Sequence, residues 1–211
     1  MLSALVLAAG QSERMGRPKP LLPFGNQTCL SLVLDACKGA GIEEIIVVLG
    51  SDEKEIRREV DLKGVQWYRN MHPERGQTSS LKIGLSNMDK EAEAFFIFPA
   101  DYPLVRPYVL KTLDAAYRSG EKWKRIFVPT FGGRRGHPVL IDKVLRPTFR
   151  ALGEEEPAHK VIRSQEANVE MVKVRDPAVI LDIDTALDYD RCLRIYVDRE
   201  KRAHSTGGPK G

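Results

Sequence analysis

The sequence lacks the features of several large classes of protein. No apolar run reaches the roughly 20 residues that a membrane-spanning helix requires. No cluster of cysteine and histidine has the spacing of a zinc site. A basic stripe with interleaved aromatic residues, which is typical of nucleic-acid binders, is also missing. The net charge of +4 is too small to indicate nucleic acid, although it suits an anionic ligand such as a nucleotide. We therefore expect neither a membrane nor a nucleic acid as partner.

Cysteine is scarce, with only Cys29, Cys37 and Cys192 in the chain. An odd number of cysteines without close pairing is typical of free thiols in a reducing compartment, so we expect a cytoplasmic protein. Residues 1–9 are apolar but carry no basic leader. We interpret them as a first buried strand rather than as a signal peptide.

The composition is that of an ordinary globular protein. A length of 211 residues suffices for one compact domain and is short for two. We expect a single domain over residues 1–202. The polar, glycine-rich residues 203–211 are expected to form a disordered tail.

Apolar runs of strand length alternate with segments of helical periodicity. The expected strands are Ser3–Ala8, Glu44–Leu49, Val65–Arg69, Ala94–Phe98, Ile126–Pro129, Pro138–Ile141, Val169–Val174 and Val179–Ile183. The expected helices are Leu30–Lys38, one that starts with a capping box at Asp52 and Glu55, Thr78–Met88, one from Pro107, Lys160–Ser164 and one from Thr185. This alternation predicts a three-layer, Rossmann-like α/β fold with a mostly parallel central sheet.

Ligands of such sheets bind at the carboxyl ends of the strands. That rule places residues 8–10, Gly50 and residues 99–101 on one edge of the sheet, and we expect the chemistry there.

The loop after the first strand is suited to phosphate. Gly10 and Gly16 permit a positive φ, so that successive backbone N–H groups can converge on phosphate oxygens. Arg14 and Lys19 can neutralise the charge of a triphosphate. The spacing matches neither the dinucleotide-binding motif nor the P-loop. The alternative is a glycine turn with two solvated basic residues.

Three aspartates follow apolar runs. Asp101 follows the run Ala94–Phe98 after two further residues. A carboxylate at the end of a strand is well placed to bind a Mg²⁺ ion that bridges phosphate oxygens. Asp182 and Asp184 stand at alternate positions, so both side chains would face the same side of an extended segment. The structural alternatives are a helix N-cap for Asp184 and a solvated strand end for Asp182.

Five motifs together resemble the MobA-like NTP transferases, and in particular the molybdenum cofactor cytidylyltransferase branch. They follow the expected order and span most of the chain. The motifs are Leu7-Ala8-Ala9-Gly10-x-Ser12-x-Arg14-Met15-Gly16-x-x-Lys19, Gly76-Gln77-Thr78-Ser79-Ser80-Leu81, Pro99-Ala100-Asp101-x-Pro103, Gly133-Arg134-Arg135-Gly136-His137-Pro138 and Leu181-Asp182-Ile183-Asp184-Thr185.

The resemblance implies a nucleotidyltransferase that uses Mg²⁺ and an NTP, with pyrophosphate as product. It implies catalytic roles for Arg14, Lys19 and Asp101, and a metal held by Asp101 with a later aspartate, for which we favour Asp184. The residues expected to bind nucleotide are Leu7, Ala8, Ala9, Gly10, Arg14, Lys19, Asn70, Ser79, Ser80 and Asp101. Arg135 and His137 are expected to bind the phosphorylated acceptor. For Thr78 or Ser79 a helix N-cap is an equal alternative.

The form Ala8-Ala9-Gly10 resembles the motif associated with CTP, whereas a Leu-Ala-Gly-Gly form is associated with GTP. Tyr102 stands where the cytidylyltransferases usually carry glutamine, which leaves the acceptor open. The first hypothesis is a molybdenum cofactor cytidylyltransferase that transfers CMP and makes transient contact with the enzyme receiving the cofactor. The second is transfer to a sugar phosphate or another phosphorylated alcohol. The third is a catalytically weak chaperone that delivers a cofactor.

Overall fold

The computed structural model of the protein describes residues 1–10, 16–121, 123–153 and 155–206. Its strands are β1 (Leu2–Ala8), β2 (Pro23–Phe24), β3 (Gln27–Thr28), β4 (Glu44–Leu49), β5 (Gln66–Arg69), β6 (Ala94–Pro99), β7 (Ile126–Phe131), β8 (Arg134–Arg135), β9 (Val139–Asp142) and β10 (Val169–Lys173). Its helices are α1 (Cys29–Ala40), α2 (Glu53–Glu59), α3 (Gln77–Asn87), α4 (Pro107–Ser119), α5 (Arg146–Arg150), α6 (His159–Ser164) and α7 (Ala186–Thr206).

One large sheet runs through the molecule in the order β10-β7-β9-β6-β1-β4-β5, with β8 paired to β7. Strands β1, β4, β5 and β6 are mutually parallel. Strand β9 lies antiparallel between β6 and β7, so β7 and its parallel neighbour β10 point the same way as β6. The expected mostly parallel sheet is confirmed, with β9 and the short β8 as its reversed strands.

Helices cover both faces of the sheet and make three layers. Side chains alternate along the central strands: Val6 and Val47 face the layer of α1, α2, α4 and α7, whereas Leu5 and Val48 face α3, α5 and α6. Both faces are apolar because every residue of β1, β4 and β6 is buried. None of the described helices is both long enough and apolar enough to cross a membrane.

Local sequence signals set the two ends of α1. Thr28 caps its amino terminus, since the Thr28 hydroxyl accepts from the backbone N–H of Ser31 and the Ser31 hydroxyl accepts from that of Thr28. Gly41 ends the helix in the left-handed conformation, with φ of 81°. Pro107 begins α4, as the fixed φ of proline favours.

Several predictions of local structure are wrong. Residues 179–183 do not form a strand: Pro177–Ile180 is a 3-10 turn, and extended chain follows it. The side chain of Asp52 makes no capping bond at the start of α2. Gly10 does not have a positive φ, although Gly16 does, at 64°. Helix α7 continues to Thr206, so the first four residues of the predicted tail are helical.

Candidate active site

The carboxyl ends of β1, β4 and β6 meet at one edge of the sheet, as predicted. Leu7 pairs with Pro99, and Ala8 pairs with Leu49. A Cβ atom on Gly50 would lie 2.8 Å from the carbonyl oxygen of Ala9. Only glycine allows the backbones after β1 and β4 to come this close.

A pocket of about 290 Å³ opens at this edge, and we call it the nucleotide pocket. Its lining residues are Leu7, Ala9, Gly10, Pro73, Glu74, Gly76, Gln77, Ser80, Pro99 and Asp101. The side chain of Ala8 faces the core instead. Gly10 is exposed, and no atom of the described residues lies within 4 Å of the place where a Cβ would stand.

Asn70 connects the end of β5 to the start of α3. Its amide nitrogen donates to the hydroxyl oxygens of Ser79 at 2.7 Å and Ser80 at 2.9 Å, and its side-chain oxygen accepts from the backbone N–H of His72. Of the three residues predicted to bind nucleotide here, only Ser80 lines the pocket. The buried Asn70 amide holds the loop that forms the pocket wall.

The amino terminus of α3 has no side-chain cap, so the N-cap alternative for Thr78 and Ser79 is wrong. Gly76 occupies the cap position. The Thr78 hydroxyl donates to the carbonyl of Glu156, and the Ser79 hydroxyl donates to that of Gly76. Gly76 and Gln77 both line the nucleotide pocket. The positive end of an α-helix therefore borders it, a setting that favours phosphate.

Asp101 is half-buried, and the Oδ1 atom of its carboxylate is buried without a partner among the described residues. Burial raises the pKa of Asp101 to about 6, Lys19 and the residue's own backbone N–H oppose the rise, and the negative charges of Asp182 and Asp184 add to it. A cation beside Asp101 would remove this penalty.

Asp184 is paired with Lys19. The Nζ atom of Lys19 lies 2.8 Å from Oδ1 of Asp184. Neither side chain lines the nucleotide pocket, but both act electrostatically on Asp101. Arg14, the second basic residue of the predicted phosphate loop, lies outside the described residues.

Asp184 does not cap α7, so the N-cap alternative for Asp184 is wrong. The hydroxyl of Thr185 accepts from the backbone N–H of Asp188, and the Asp188 carboxylate accepts from the Thr185 N–H at 2.9 Å. This reciprocal pair is a capping box and leaves the Asp184 carboxylate available to Lys19. The backbone N–H of Ile183 donates to the carbonyl of Asp101 at 3.0 Å, which ties the two acidic segments together.

The donor set fits a magnesium ion that also binds phosphate. Within the described residues no group of three or more His, Cys, Asp or Glu side chains could enclose a metal. Mg²⁺ does not need such a cage, because it is usually held by one or two carboxylates together with phosphate oxygens and water. The unpartnered Oδ1 of Asp101 is a carboxylate oxygen of the required kind.

A second pocket, of about 390 Å³, adjoins the first, and we call it the acceptor pocket. Its lining residues are Gln77, Ile97, Tyr102, Val128, Arg135, Gly136, His137, Val139, Pro157, Ala158, His159, Ile162 and Arg163. Gln77 lines both pockets, and Asp101 and Tyr102 are consecutive residues that line one pocket each.

Both predicted acceptor residues line this pocket. Burial lowers the pKa of His137 to about 4, against a hydrogen bond with the backbone of Ile97, so the imidazole is neutral at pH 7. Its Nδ1 atom is buried and has no partner among the described residues. The rings of His137 and Tyr102 lie 5.0 Å apart. Arg135 is paired with Glu166, one of the two contacts measuring 3.1 Å.

Sequence reasoning missed the part of the acceptor pocket that comes from α6. His159, Ile162 and Arg163 lie more than 20 residues beyond the glycine–histidine turn, and no motif marks them. Gly76 and Gln77, in contrast, stand within one of the recognised motifs and could have been assigned to the nucleotide site.

Comparison with known proteins identifies the family. Residues 4–169 match the MobA-like NTP transferase domain. The chain is 25% identical over 201 residues to Nicotine blue oxidoreductase of Paenarthrobacter nicotinovorans, and the aligned region covers 91% of this chain and 96% of that protein. It is 29% identical over 132 residues to a protein of Natranaerobius thermophilus named as a probable molybdenum cofactor guanylyltransferase, which covers 63% of this chain and 62% of that protein.

The chain also matches one part of a longer protein. It is 33% identical over 128 residues to the bifunctional protein GlmU of Sorangium cellulosum, and the match covers 57% of this chain and 27% of GlmU.

Among solved structures, Rv0371c from Mycobacterium tuberculosis H37Rv superimposes with a TM-score of 0.81 at 27% identity, over 92% of this chain and 97% of that one. A structure of the same mycobacterial protein in complex with manganese gives a TM-score of 0.79.

Proposed function

The chain belongs to the MobA-like NTP transferase family, and on this basis we propose that it transfers CMP from CTP to the phosphate of molybdopterin or of the molybdenum cofactor, with release of pyrophosphate. The observation that carries the proposal is the junction of the two pockets. Asp101 lines the nucleotide pocket, and the next residue, Tyr102, lines the acceptor pocket. A transfer between two bound substrates requires such a junction.

In this proposal Asp101 and Asp184 hold the magnesium ion. Its bound charge would offset the negative charge that builds on the phosphates during the transfer. The raised pKa and unpartnered Oδ1 of Asp101 support a cation at this position. The manganese complex of the mycobacterial protein supports a divalent ion in the family, and magnesium itself is part of the proposal.

The chain's own residues align the substrates and neutralise charge. An oxygen of the acceptor phosphate forms the new bond to the α-phosphorus of CTP, and the bond from that phosphorus to pyrophosphate breaks. No general base is needed, because a phosphate monoester with a second pKa of about 6 is largely dianionic at neutral pH. Lys19 moves from Asp184 to the triphosphate, and the amino terminus of α3 faces the same charge.

The acceptor pocket offers both apolar surface and aromatic rings to the ring system of the acceptor. Aliphatic side chains make up much of its wall, and the rings of Tyr102 and His137 stand side by side in it. Heteroaromatic rings pack favourably on aromatic side chains, which suits the pterin ring system of the proposed acceptor. The basic side chain of Arg163, together with Arg135, offers positive charge to an anionic group of the acceptor.

Tyr102 supports the second candidate, a sugar phosphate or another phosphorylated alcohol as acceptor. A phenol can donate a hydrogen bond to a sugar hydroxyl, and it replaces the glutamine that is usual in the cytidylyltransferases. The proposed location is the cytoplasm, which the three free cysteines favour.

A pyrophosphate-release screen tests the proposal. Each of the four NTPs is combined with molybdopterin or with members of a panel of sugar phosphates, in the presence of Mg²⁺. We expect release with CTP and molybdopterin, and loss of release in Asp101→Asn. Release only with a sugar phosphate would select the second candidate. Reduction of nicotine blue without pyrophosphate release from any NTP would contradict transferase activity.

A further inference from the structure

The segment from Asp176 to Asp184 touches both halves of the proposed site. At its centre, the carbonyl of Val179 accepts from the backbone N–H of His137 at 2.8 Å. Near its end, Ile183 donates to the carbonyl of Asp101. A Cβ on Gly136 would lie 2.1 Å from the Val179 carbonyl oxygen, so the acceptor turn follows the position of this segment closely.

Asp176 anchors the start of that segment and is only 1% exposed. Its Oδ1 atom accepts from the backbone N–H of Ala178 and thereby caps the 3-10 turn. The same oxygen lies 2.7 Å from Nη2 of Arg199, and Oδ2 lies 3.0 Å from Nε of Arg106. The carboxylate therefore has partners on three different parts of the chain.

Arg199 extends the anchor to the loop that follows Asp101. Its Nη1 atom donates to the carbonyl of Leu104 at 2.7 Å, while Nη2 holds Asp176. A guanidinium can make both bonds at once because its donors form a rigid planar fork. Through this one side chain of α7, the wall that carries Asp184 is fixed to the wall that carries Asp101.

We propose that Asp176, together with Arg199, is a positioning residue that fixes Asp184 and the Val179 carbonyl relative to Asp101. This inference rests on the proposed function, because the relevant distance is the one between the two metal-binding carboxylates. Asp176 lines neither pocket, so it acts through the segment that it anchors. Side chains that hydrogen-bond directly to metal ligands change metal affinity by about 10- to 100-fold when they are replaced, and we expect the lower end of that range for Asp176, which acts through the backbone of its segment.

Asp142 is a matched control at the opposite edge of the sheet. It is also buried, caps a 3-10 turn through the backbone N–H of Val144 at 2.9 Å, and pairs with Arg125 at 2.8 Å. It ends the antiparallel strand β9 and pairs with Ala94, the first residue of β6. Replacing Asp142 therefore removes a similar ion pair and a similar capping charge, away from the site.

The test measures the affinity for Mn²⁺ alone, by electron paramagnetic resonance, in the wild type, Asp176→Asn and Asp142→Asn, each checked for folding by urea unfolding. Asparagine keeps an oxygen for the turn but loses the charge. We expect both variants to lose stability, and only Asp176→Asn to bind Mn²⁺ more weakly, by about tenfold. At limiting Mg²⁺ its kcat should fall and then recover as Mg²⁺ is raised, a recovery that a variant with less folded protein, such as Asp142→Asn, should not show.

Equal Mn²⁺ affinities in Asp176→Asn and Asp142→Asn would overturn the inference. If Asp176→Asn does not fold, Arg199→Lys replaces it, because lysine keeps the charge but lacks the fork; unchanged Mn²⁺ affinity there also overturns the inference. A wild type that binds no Mn²⁺, either alone or together with CTP, defeats the proposed metal site itself, which separates the failure of the proposed function from the failure of this inference.

Discussion

The Nζ atom of Lys19 lies 2.8 Å from Oδ1 of Asp184, so the lysine predicted to bind phosphate holds the aspartate predicted to bind the metal. The side chain of Lys19 is 23% exposed, and that of Asp184 is 67% exposed. If Asp184 binds the metal as we propose, the ammonium group of Lys19 occupies an oxygen that the divalent cation would use. We therefore expect nucleotide binding to favour metal binding, because a phosphate group that attracts Lys19 would free the Asp184 carboxylate for the cation.

Lys19→Ala should change nucleotide and metal binding in opposite directions. The variant loses a charge-assisted hydrogen bond to phosphate, so kcat/KM for CTP should fall by about 10- to 100-fold. Without nucleotide, its affinity for Mn²⁺ should rise, because the competing ammonium group is gone. Steady-state kinetics and a Mn²⁺ titration measure the two effects. Lys111→Ala, an exposed lysine on α4, is the control and should change neither. A loss of both affinities in Lys19→Ala would contradict the exchange.

Asp101→Asn should alter the pH dependence of stability as well as activity. The pKa of Asp101 is about 6 in the folded protein and 3.8 in the unfolded chain. Between these pH values the folded protein keeps the Asp101 carboxyl protonated while the unfolded chain has lost that proton. The free energy of unfolding of the wild type therefore falls as the pH rises from about 4 to about 6. The metal-free variant escapes this loss. It should match the wild type near pH 4 and exceed it above pH 7, by at most about 3 kcal/mol in free energy of unfolding.

Urea unfolding at several pH values, with chelator present, measures that difference. Mn²⁺ should stabilise the wild type and not Asp101→Asn. A difference in free energy of unfolding that does not change with pH would show that the pKa of Asp101 is not raised in the folded protein.

His137→Gln should have the opposite pH signature. Burial lowers the pKa of His137 to about 4, below its usual 6.5, so the unfolded chain takes up the proton first as pH falls. The wild type therefore loses stability between about pH 6.5 and pH 4, by at most about 3 kcal/mol. His137→Gln should lack this loss, and His72→Gln, an exposed control, should keep it.

In steady-state kinetics, His137→Gln should raise the KM for the acceptor and leave the KM for CTP unchanged. The reverse pattern would place His137 in the nucleotide site.

Ala9→Gly should weaken the preference for CTP over GTP. The Ala9 methyl group lines the nucleotide pocket beside backbone that approaches Gly50, so its removal makes room for the larger purine ring. The measurement is the ratio of kcat/KM for the two nucleotides in competition. Ala8→Gly is the matched control, because the side chain of Ala8 faces the core. A wild-type preference for GTP would refute the predicted base, and an equal ratio in Ala9→Gly would remove the explanation.

Periodicity was enough to predict the central strands, because a strand buried on both faces must be apolar throughout. Glu44–Leu49 appears as predicted for this reason. The same rule misassigned residues 179–183. Their apolar side chains are buried, but Pro177 and the capping carboxylate of Asp176 start a 3-10 turn instead of a strand. An apolar run therefore predicts that its side chains are buried, but the local hydrogen bonds determine whether its backbone forms a strand or a turn.

The candidate site was predictable where its residues belong to a continuous motif. Leu7, Ala9 and Gly10 do so, and they line one pocket. Asn70 was assigned to nucleotide, yet its amide is satisfied by two serine hydroxyls, a contact that depends on the fold. The pairing of Arg135 with Glu166 likewise joins residues 31 positions apart, which spacing alone does not reveal.

Because β9 runs antiparallel to β6 and β7, the loop between β7 and β9 can vary in sequence independently of the loop after β1. Since β9 runs against its neighbours, the hairpin from β7 delivers residues 132–138 to the edge where β1 and β6 end. The part of the acceptor pocket formed by Arg135, Gly136 and His137 thus lies on one hairpin tip, and changes there leave β1 and the nucleotide pocket that follows it untouched. One position of this loop cannot vary: a side chain at position 136 would collide with the Val179 carbonyl, so glycine is required there.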